Sequence, residues 1–270
     1  MPNHVTNLLF VKGDESQVKL LMQAVKNGSE DFDIAKYYPM PDALRNISVP
    51  TRILTEEEYA DYLRRRESGE LSNFENMTEG APITEYLSQT LIKTYGYNNW
   101  YDWAVNNWGT KWGSYDSFYF KDRDCFEFLT AWDPPVKAIL RLSQMFPMLN
   151  IKLKYSDEDF GNYVGEIDFY GGQVVNSYTP EEGLESYLFA MEVNGRPEYY
   201  IDELEEFEEG DKIDTLFIQA CLITAHRKRV ISDKYPKPIL DKLIELAVAD
   251  EMYERAAELK KIIDQIPAKS

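Results

Sequence analysis

Two histidines and two cysteines in 270 residues leave this chain little with which to do metal or acid–base chemistry at neutral pH. His4 opens an extended segment. His226 leads the basic run Arg227-Lys228-Arg229 and reads as a helix cap. Neither lies in an HxH or HExxH spacing, so no zincin-type centre is expected. Cys125 and Cys221 form no CxxC pair. Each sits in an apolar stretch, which reads as a buried, reduced thiol. GxxxxGK[ST], GxGxxG and GxSxG are all missing, which excludes those phosphate cradles and the nucleophile elbow. Carboxylate clusters such as Asp157/Glu158/Asp159 are too common in so acidic a chain to mark acid–base catalysis. No apolar run approaches the ~20 residues that span a bilayer. The polar opening Met1 to Asn7 lacks the basic-then-apolar pattern of a secretory signal. The sequence therefore predicts a cytoplasmic protein without membrane association, metal or cofactor, and more consistent with a binder than with an enzyme.

Basic residues are also scarce. Lysine plus arginine is 29 against 47 aspartate plus glutamate, a formal charge of −18. Such a surface repels phosphate backbones at long range, which argues against general nucleic-acid binding. From Glu181 to Asp211 there are twelve acids and one base. Leu184, Tyr187, Leu188 and Met191 keep helical spacing within that run, so it reads as the solvated face of a helix. The alternative is an acidic imitation of nucleic acid that occupies the groove of a DNA-handling protein.

What the chain does have is apolar and aromatic material for a core: 44% hydrophobic and 14% aromatic residues, with 19 Tyr. His4 to Val11 reads as a strand, and Asp14 or Ser16 caps a following helix with Val18, Leu21, Met22 and Val25 at helical spacing, which Asn27-Gly28 ends. Phe32 to Tyr37 reads as a second short extended segment, stopped by Pro39-Met40-Pro41. Residues 42–112 are expected to be a helical insertion. Thr55-Glu56-Glu57-Glu58 starts one helix, Pro82 to Tyr95 gives another, and Asn99 to Asn107 a third. Tyr115 to Lys121 and Asp124 to Trp132 read as paired strands. Pro134-Pro135 opens a helix over Val136, Ile139, Leu140 and Leu142. Leu149 to Tyr155 alternates as a strand, and Tyr163 to Tyr170 with Gln173 to Tyr178 forms a hairpin about Gly171-Gly172. With the insertion removed, the order is βαββαβ, the split βαβ of ferredoxin-like folds. The expected fold class is α+β: a ferredoxin-like sheet with a helical insertion, extra strands and a C-terminal helical hairpin. The expected domains are 1–180, the ferredoxin-like part; 181–235, an acidic and mostly helical extension; and 236–270, the hairpin.

The densest chemistry is a run of indoles. Trp100, Trp103, Trp108 and Trp112 are four of the five Trp in the chain, and the fifth, Trp132, lies in Thr130-Ala131-Trp132-Asp133-Pro134-Pro135. A helix ending at Gly109, followed by Lys111, places one cation near several indoles. One reading is an aromatic cleft for a planar, nucleotide-like ligand, with Asp102, Asn107, Lys111, Asp116 and Asp133 as its polar groups. The other is an aromatic core beneath the sheet, with Lys111 lying across a Trp face.

The C-terminal segment carries two apolar stripes. Leu240, Leu243, Ile244 and Ala247 form one. Tyr253, Ala256, Ala257, Leu259, Lys260 and Ile263 form the next, after a break at Asp250-Glu251. Two short amphipathic helices this close fold back as a hairpin.

Several of these stretches resemble known families. Met1-Pro2-Asn3-His4-Val5-Thr6-Asn7, Pro39-Met40-Pro41, Trp100-Tyr101-Asp102-Trp103, Asn107-Trp108-Gly109-Thr110-Lys111-Trp112 and Thr130 to Pro135 resemble the YubB-type ferredoxin-like family of phages, plasmids and other mobile elements, whose function is unknown. The resemblance spans about residues 1–165, and His4 departs from the aromatic residue expected there. It implies no catalytic residues. Leu243 to Ile263 is similar to the helical hairpin shared by the repair proteins UvrB and UvrC, with Lys260 where that motif usually has Arg. That likeness implies protein docking or self-association through Tyr253, Ala256, Leu259, Lys260 and Ile263. Together these features predict a non-enzymatic binding protein from a mobile element that takes a host protein or a small planar ligand. The alternatives are a nucleotide-acting enzyme at the Trp/Asp/Lys cluster and the acidic mimic.

Overall fold

A computed structural model describes residues 3–71, 80–194, 215–228, 235 and 237–265. The chain divides into two compact units. The first comprises 1–153 with 167–177, and the second 154–166 with 178–270.

The first unit is built on strand β1 (His4–Lys12), helix α1 (Glu15–Val25), strands β4 (Tyr115–Phe120) and β5 (Cys125–Ala131), and helix α6 (Val136–Met145). Strand β6 (Asn150–Asp157) and the hairpin β7 (Val164–Tyr170) and β8 (Gln173–Tyr178) complete a six-stranded sheet in the order β4-β5-β1-β6-β7-β8. The first four strands, in the order β4-β5-β1-β6, have the ferredoxin-like arrangement, and β7 and β8 extend it beyond β6. The fold is thus α+β, as the βαββαβ pattern predicts. β1 and β5 run antiparallel with Leu9 opposite Phe126 and Val5 opposite Thr130.

Period-two alternation decides which side chains enter the core. Leu9 and Val11 from β1, Phe126 and Phe128 from β5, and Ile151 and Leu153 from β6 meet Leu21 and Val25 of α1 and Ile139 and Leu142 of α6 in one cluster. The Asp14 carboxylate accepts from the N–H groups of Ser16 and Gln17, starting α1 where a strand would otherwise run on.

The segment expected to be extended at Phe32 to Tyr37 is instead a short helix, α2 (Ile34–Tyr37). Asp33 caps it, accepting from the N–H of Ala35 at 2.8 Å. Backbone donors at and just before its start find side chains far along the chain. Phe32 N–H donates to Ser117 Oγ and Ile34 N–H to Ser114 Oγ, both at 2.9 Å. Phe32 and Ile34 are fully buried. Their two-residue spacing resembles a strand, but it serves one end of the core.

The insertion holds helices α3 (Glu56–Ser68), α4 (Glu85–Tyr95) and α5 (Trp100–Asn107), with two short parallel strands, β2 (Ile53–Leu54) and β3 (Ile83–Thr84). A capping box between Thr55 and Glu58 starts α3, and Gly69, at φ 73°, ends it.

The second unit contains α7 (Leu184–Asn194), α8 (Thr215–Lys228), α9 (Lys237–Ala249) and α10 (Tyr253–Gln265). Its core joins Met191, Cys221, Ala225, Leu240, Leu243 and Leu259. α9 and α10 form the expected hairpin, turning at Asp250 and at Glu251, which has φ 59°. In the acidic run, α7 bears the stripe read from the sequence, while 195–211 lie outside the described residues. No described helix is long and apolar enough to cross a membrane.

Candidate functional site

The Asn107 to Trp112 run works residue by residue. Asn99 caps α5, its side-chain oxygen accepting from Asp102 N–H at 2.8 Å. The Asp102 carboxylate in turn accepts from Asn99 Nδ2 at 2.7 Å, so this acid serves the helix start. One turn on, Trp103 and Ala104 point into the core. Trp103 packs edge-to-face on Trp108, with ring centres 5.3 Å apart, and on Tyr38 at 5.5 Å. Trp108 donates from Nε1 to the Tyr38 carbonyl at 2.8 Å, satisfying its one polar atom inside. Asn107 accepts from the Tyr38 hydroxyl at 2.8 Å and donates to the Trp103 carbonyl at 2.9 Å. Burial raises the Tyr38 pKa, which favours the neutral phenol as donor.

Gly109, at φ 88°, then turns the chain away from the core. A Cβ there would lie 3.4 Å from the Lys137 nitrogen, at the start of α6. Thr110 Oγ1 donates to the Ala131 carbonyl at 2.7 Å, and Lys111 N–H donates to the same oxygen at 3.3 Å. These bonds bring Lys111 beside Trp132, whose own N–H donates to the Asn3 carbonyl at 2.9 Å. The Lys111 ammonium stands 4.4 Å from the ring centre of Trp132 and 5.0 Å from that of Trp112. Both indoles are 39% exposed.

Further rings extend this surface. Tyr101 meets Trp132 edge-on at 5.9 Å and Trp100 at 5.8 Å. Tyr115 meets Trp112 at 6.3 Å and shares a 2.6 Å hydrogen bond with His4 Nδ1. Trp100 and Trp112 also line a cleft of about 370 Å³ together with Arg45, Asn46 and Gly80.

The ten candidate residues therefore separate into three groups. Trp103, Asn107 and Trp108 are structural. Trp100, Lys111, Trp112 and Trp132 form an aromatic surface with one cation, next to a cleft. Asp102, Asp116 and Asp133 are exposed and do not line that cleft. Arg45 and Asn46 supply polar lining that sequence reading missed, because a loop between Leu44 and Ile47 carries no periodic signal. Tyr101, Tyr115 and His4 were missed as well. Among the described residues, no group of three or more His, Cys, Asp or Glu is placed to hold a metal ion.

At the second candidate surface, Leu259 is fully buried, Ala256 is nearly so, and Ile263 packs against the same core. Tyr253 and Lys260 remain exposed. The stripe that suggested docking is thus turned into its own unit.

No curated protein matches the chain. The solved structure of the protein api92 from Yersinia pseudotuberculosis is similar at 13% identity and a TM-score of 0.36, over 66% of this chain and 98% of that one. A family model described as the ferredoxin-like domain in Api92-like protein matches residues 107–211, so that this stretch, which begins at Asn107 and contains Lys111, Trp112 and Trp132, is similar to an uncharacterised ferredoxin-like family.

Proposed function

We propose that this chain is a non-enzymatic binding protein whose first unit takes a small, planar, anionic ligand of nucleotide type. The observation that carries the reading is Lys111, whose ammonium contacts two half-exposed indoles beside the cleft lined by Arg45, Asn46, Trp100 and Trp112. An exposed indole offers a face for stacking that any nucleobase can use. Lys111 adds positive charge in a chain of net charge −18, which suits a phosphate-bearing ligand, while Arg45 at the cleft is paired with Asp42 at 2.8 Å. The cleft volume lies at the lower end of the ~300–1,000 Å³ range of small-molecule sites. The resemblance of Asn107 to Trp112 and of Thr130 to Pro135 to YubB-type proteins supports a phage or plasmid setting. In that setting a binder would sequester or sense a host nucleotide.

The test is calorimetry and tryptophan fluorescence with nucleoside mono- and diphosphates, beside the free bases and inorganic phosphate. Saturable binding that Trp112→Ala removes without changing the fold would support the reading. The absence of binding to every nucleotide at millimolar concentration would sink it. Turnover of the bound nucleotide, lost in Lys111→Ala, would make the site catalytic instead.

A further inference from the structure

The two edges of the six-stranded sheet are built differently. The β4 edge is irregular: its register with β5 shifts between Tyr115 and Phe118, and exposed Asp116 sits there at φ 50°. A bulge and a charge are ordinary ways of closing an edge to further pairing. Among the described residues, the β8 edge has neither protection. All six of its residues, Gln173 to Tyr178, are exposed. Val174 is 48% and Val175 58% exposed, and alternation places them on opposite faces. In a chain that is 28% charged, the stretch from Gly171 to Pro180 carries no charge at all. The nearest acids are engaged: Asp168 pairs with Lys152 at 3.4 Å and accepts from Asn176 Nδ2 at 3.1 Å, and Glu185 accepts from the Tyr178 hydroxyl at 2.5 Å.

We propose that β8 pairs antiparallel with β8 of a second copy of this chain, joining two sheets edge to edge. The charge pattern selects this occupant. Two copies at −18 each repel, so they can meet closely only where the surface is uncharged, and β8 is such a place. A foreign basic partner would instead be drawn to the acids that this strand lacks. Antiparallel pairing about a two-fold axis through Asn176 sets Asn176 opposite its own copy, Val175 opposite Ser177 and Val174 opposite Tyr178. No like charges meet, and each strand supplies backbone donors and acceptors to the other.

The experiment is sedimentation velocity of the full chain over a wide concentration range, repeated for Val175→Lys and Val175→Thr. The expected result is a reversible dimer whose dissociation constant rises by about tenfold or more with lysine at the edge and changes little with threonine, which keeps the strand uncharged and β-branched. Circular dichroism confirms that both variants fold. Asn176→Cys should then cross-link a dimer on oxidation, because Cys125 and Cys221 are buried. A chain that stays monomeric throughout would overturn the proposal, as would a dimer that Val175→Lys leaves equally tight.

Discussion

Lys111 holds its ammonium 4.4 Å from the centre of the Trp132 ring, on the exposed side of a segment whose other side delivers Trp108 to the core. A cation at such a face contributes roughly 0.5–1 kcal/mol at an exposed site. Lys111→Met should therefore lower stability by no more than about 1 kcal/mol in a denaturant melt. If the ligand carries phosphate, the same change should weaken its binding about tenfold or more, since charge-assisted contacts are the strong ones. Loss of stability without loss of binding would assign Lys111 to packing alone.

Trp108 and Trp112 are four residues apart, and their roles divide at Gly109. Trp108→Ala removes a buried ring and leaves the Tyr38 carbonyl without its 2.8 Å donor. It should cost about 3–5 kcal/mol and release the Trp103 and Tyr38 contacts in urea unfolding. Trp112→Ala should leave the melt within about 1 kcal/mol of the parent and change only ligand titrations.

How much of this was legible in the sequence depends on the range of the interaction. Strand alternation in β1, β5 and β6 and the stripe of α6 are local, and they gave the ferredoxin-like order directly. Phe32 to Tyr37 misled because the hydroxyls that receive its N–H groups, Ser114 and Ser117, lie some eighty residues away. The division of the indoles into core and surface was illegible for a similar reason. Trp132 reaches Lys111 only because Thr110 and Lys111 bond to the Ala131 carbonyl, and nothing in the spacing of either segment announces that pairing. Arg45 and Asn46 join the cleft through another meeting of segments distant in sequence: Ala81 N–H donates to the Asn46 carbonyl at 2.6 Å.

Tyr119 gives a prediction in pH. Its hydroxyl donates to the Asp124 carboxylate across the β4–β5 turn, which raises its pKa from 10.0 to about 12, with burial as a smaller cause. Below pH 10 folded and unfolded chains both keep this proton, and the bond's contribution is fully present. Between pH 10 and about 12 the unfolded chain loses the proton first, so stability falls as pH rises. Tyr119→Phe should flatten the alkaline limb of a stability–pH curve in that window. An unchanged slope would show that the hairpin does not depend on this bond.

The C-terminal hairpin separates packing from docking at neighbouring positions. Leu259 is fully buried among Leu240, Leu243 and Ala225, so Leu259→Ala should destabilise the second unit by about 2–5 kcal/mol. Tyr253 is 64% exposed on the same helix, so Tyr253→Ala should shift the melt by no more than about 0.5 kcal/mol. The same pair of variants tests the UvrB-like reading. A docking hairpin needs apolar surface that is free before the partner arrives, and Leu259 and Ile263 already pack into the core of their own unit, while Ala256 is buried. If a partner protein binds here without opening the unit, its affinity must depend on Tyr253 and Lys260, and Tyr253→Ala should weaken capture while the melt stays unchanged. If capture falls only with Leu259→Ala, in step with unfolding, the hairpin is a structural closure of its own unit.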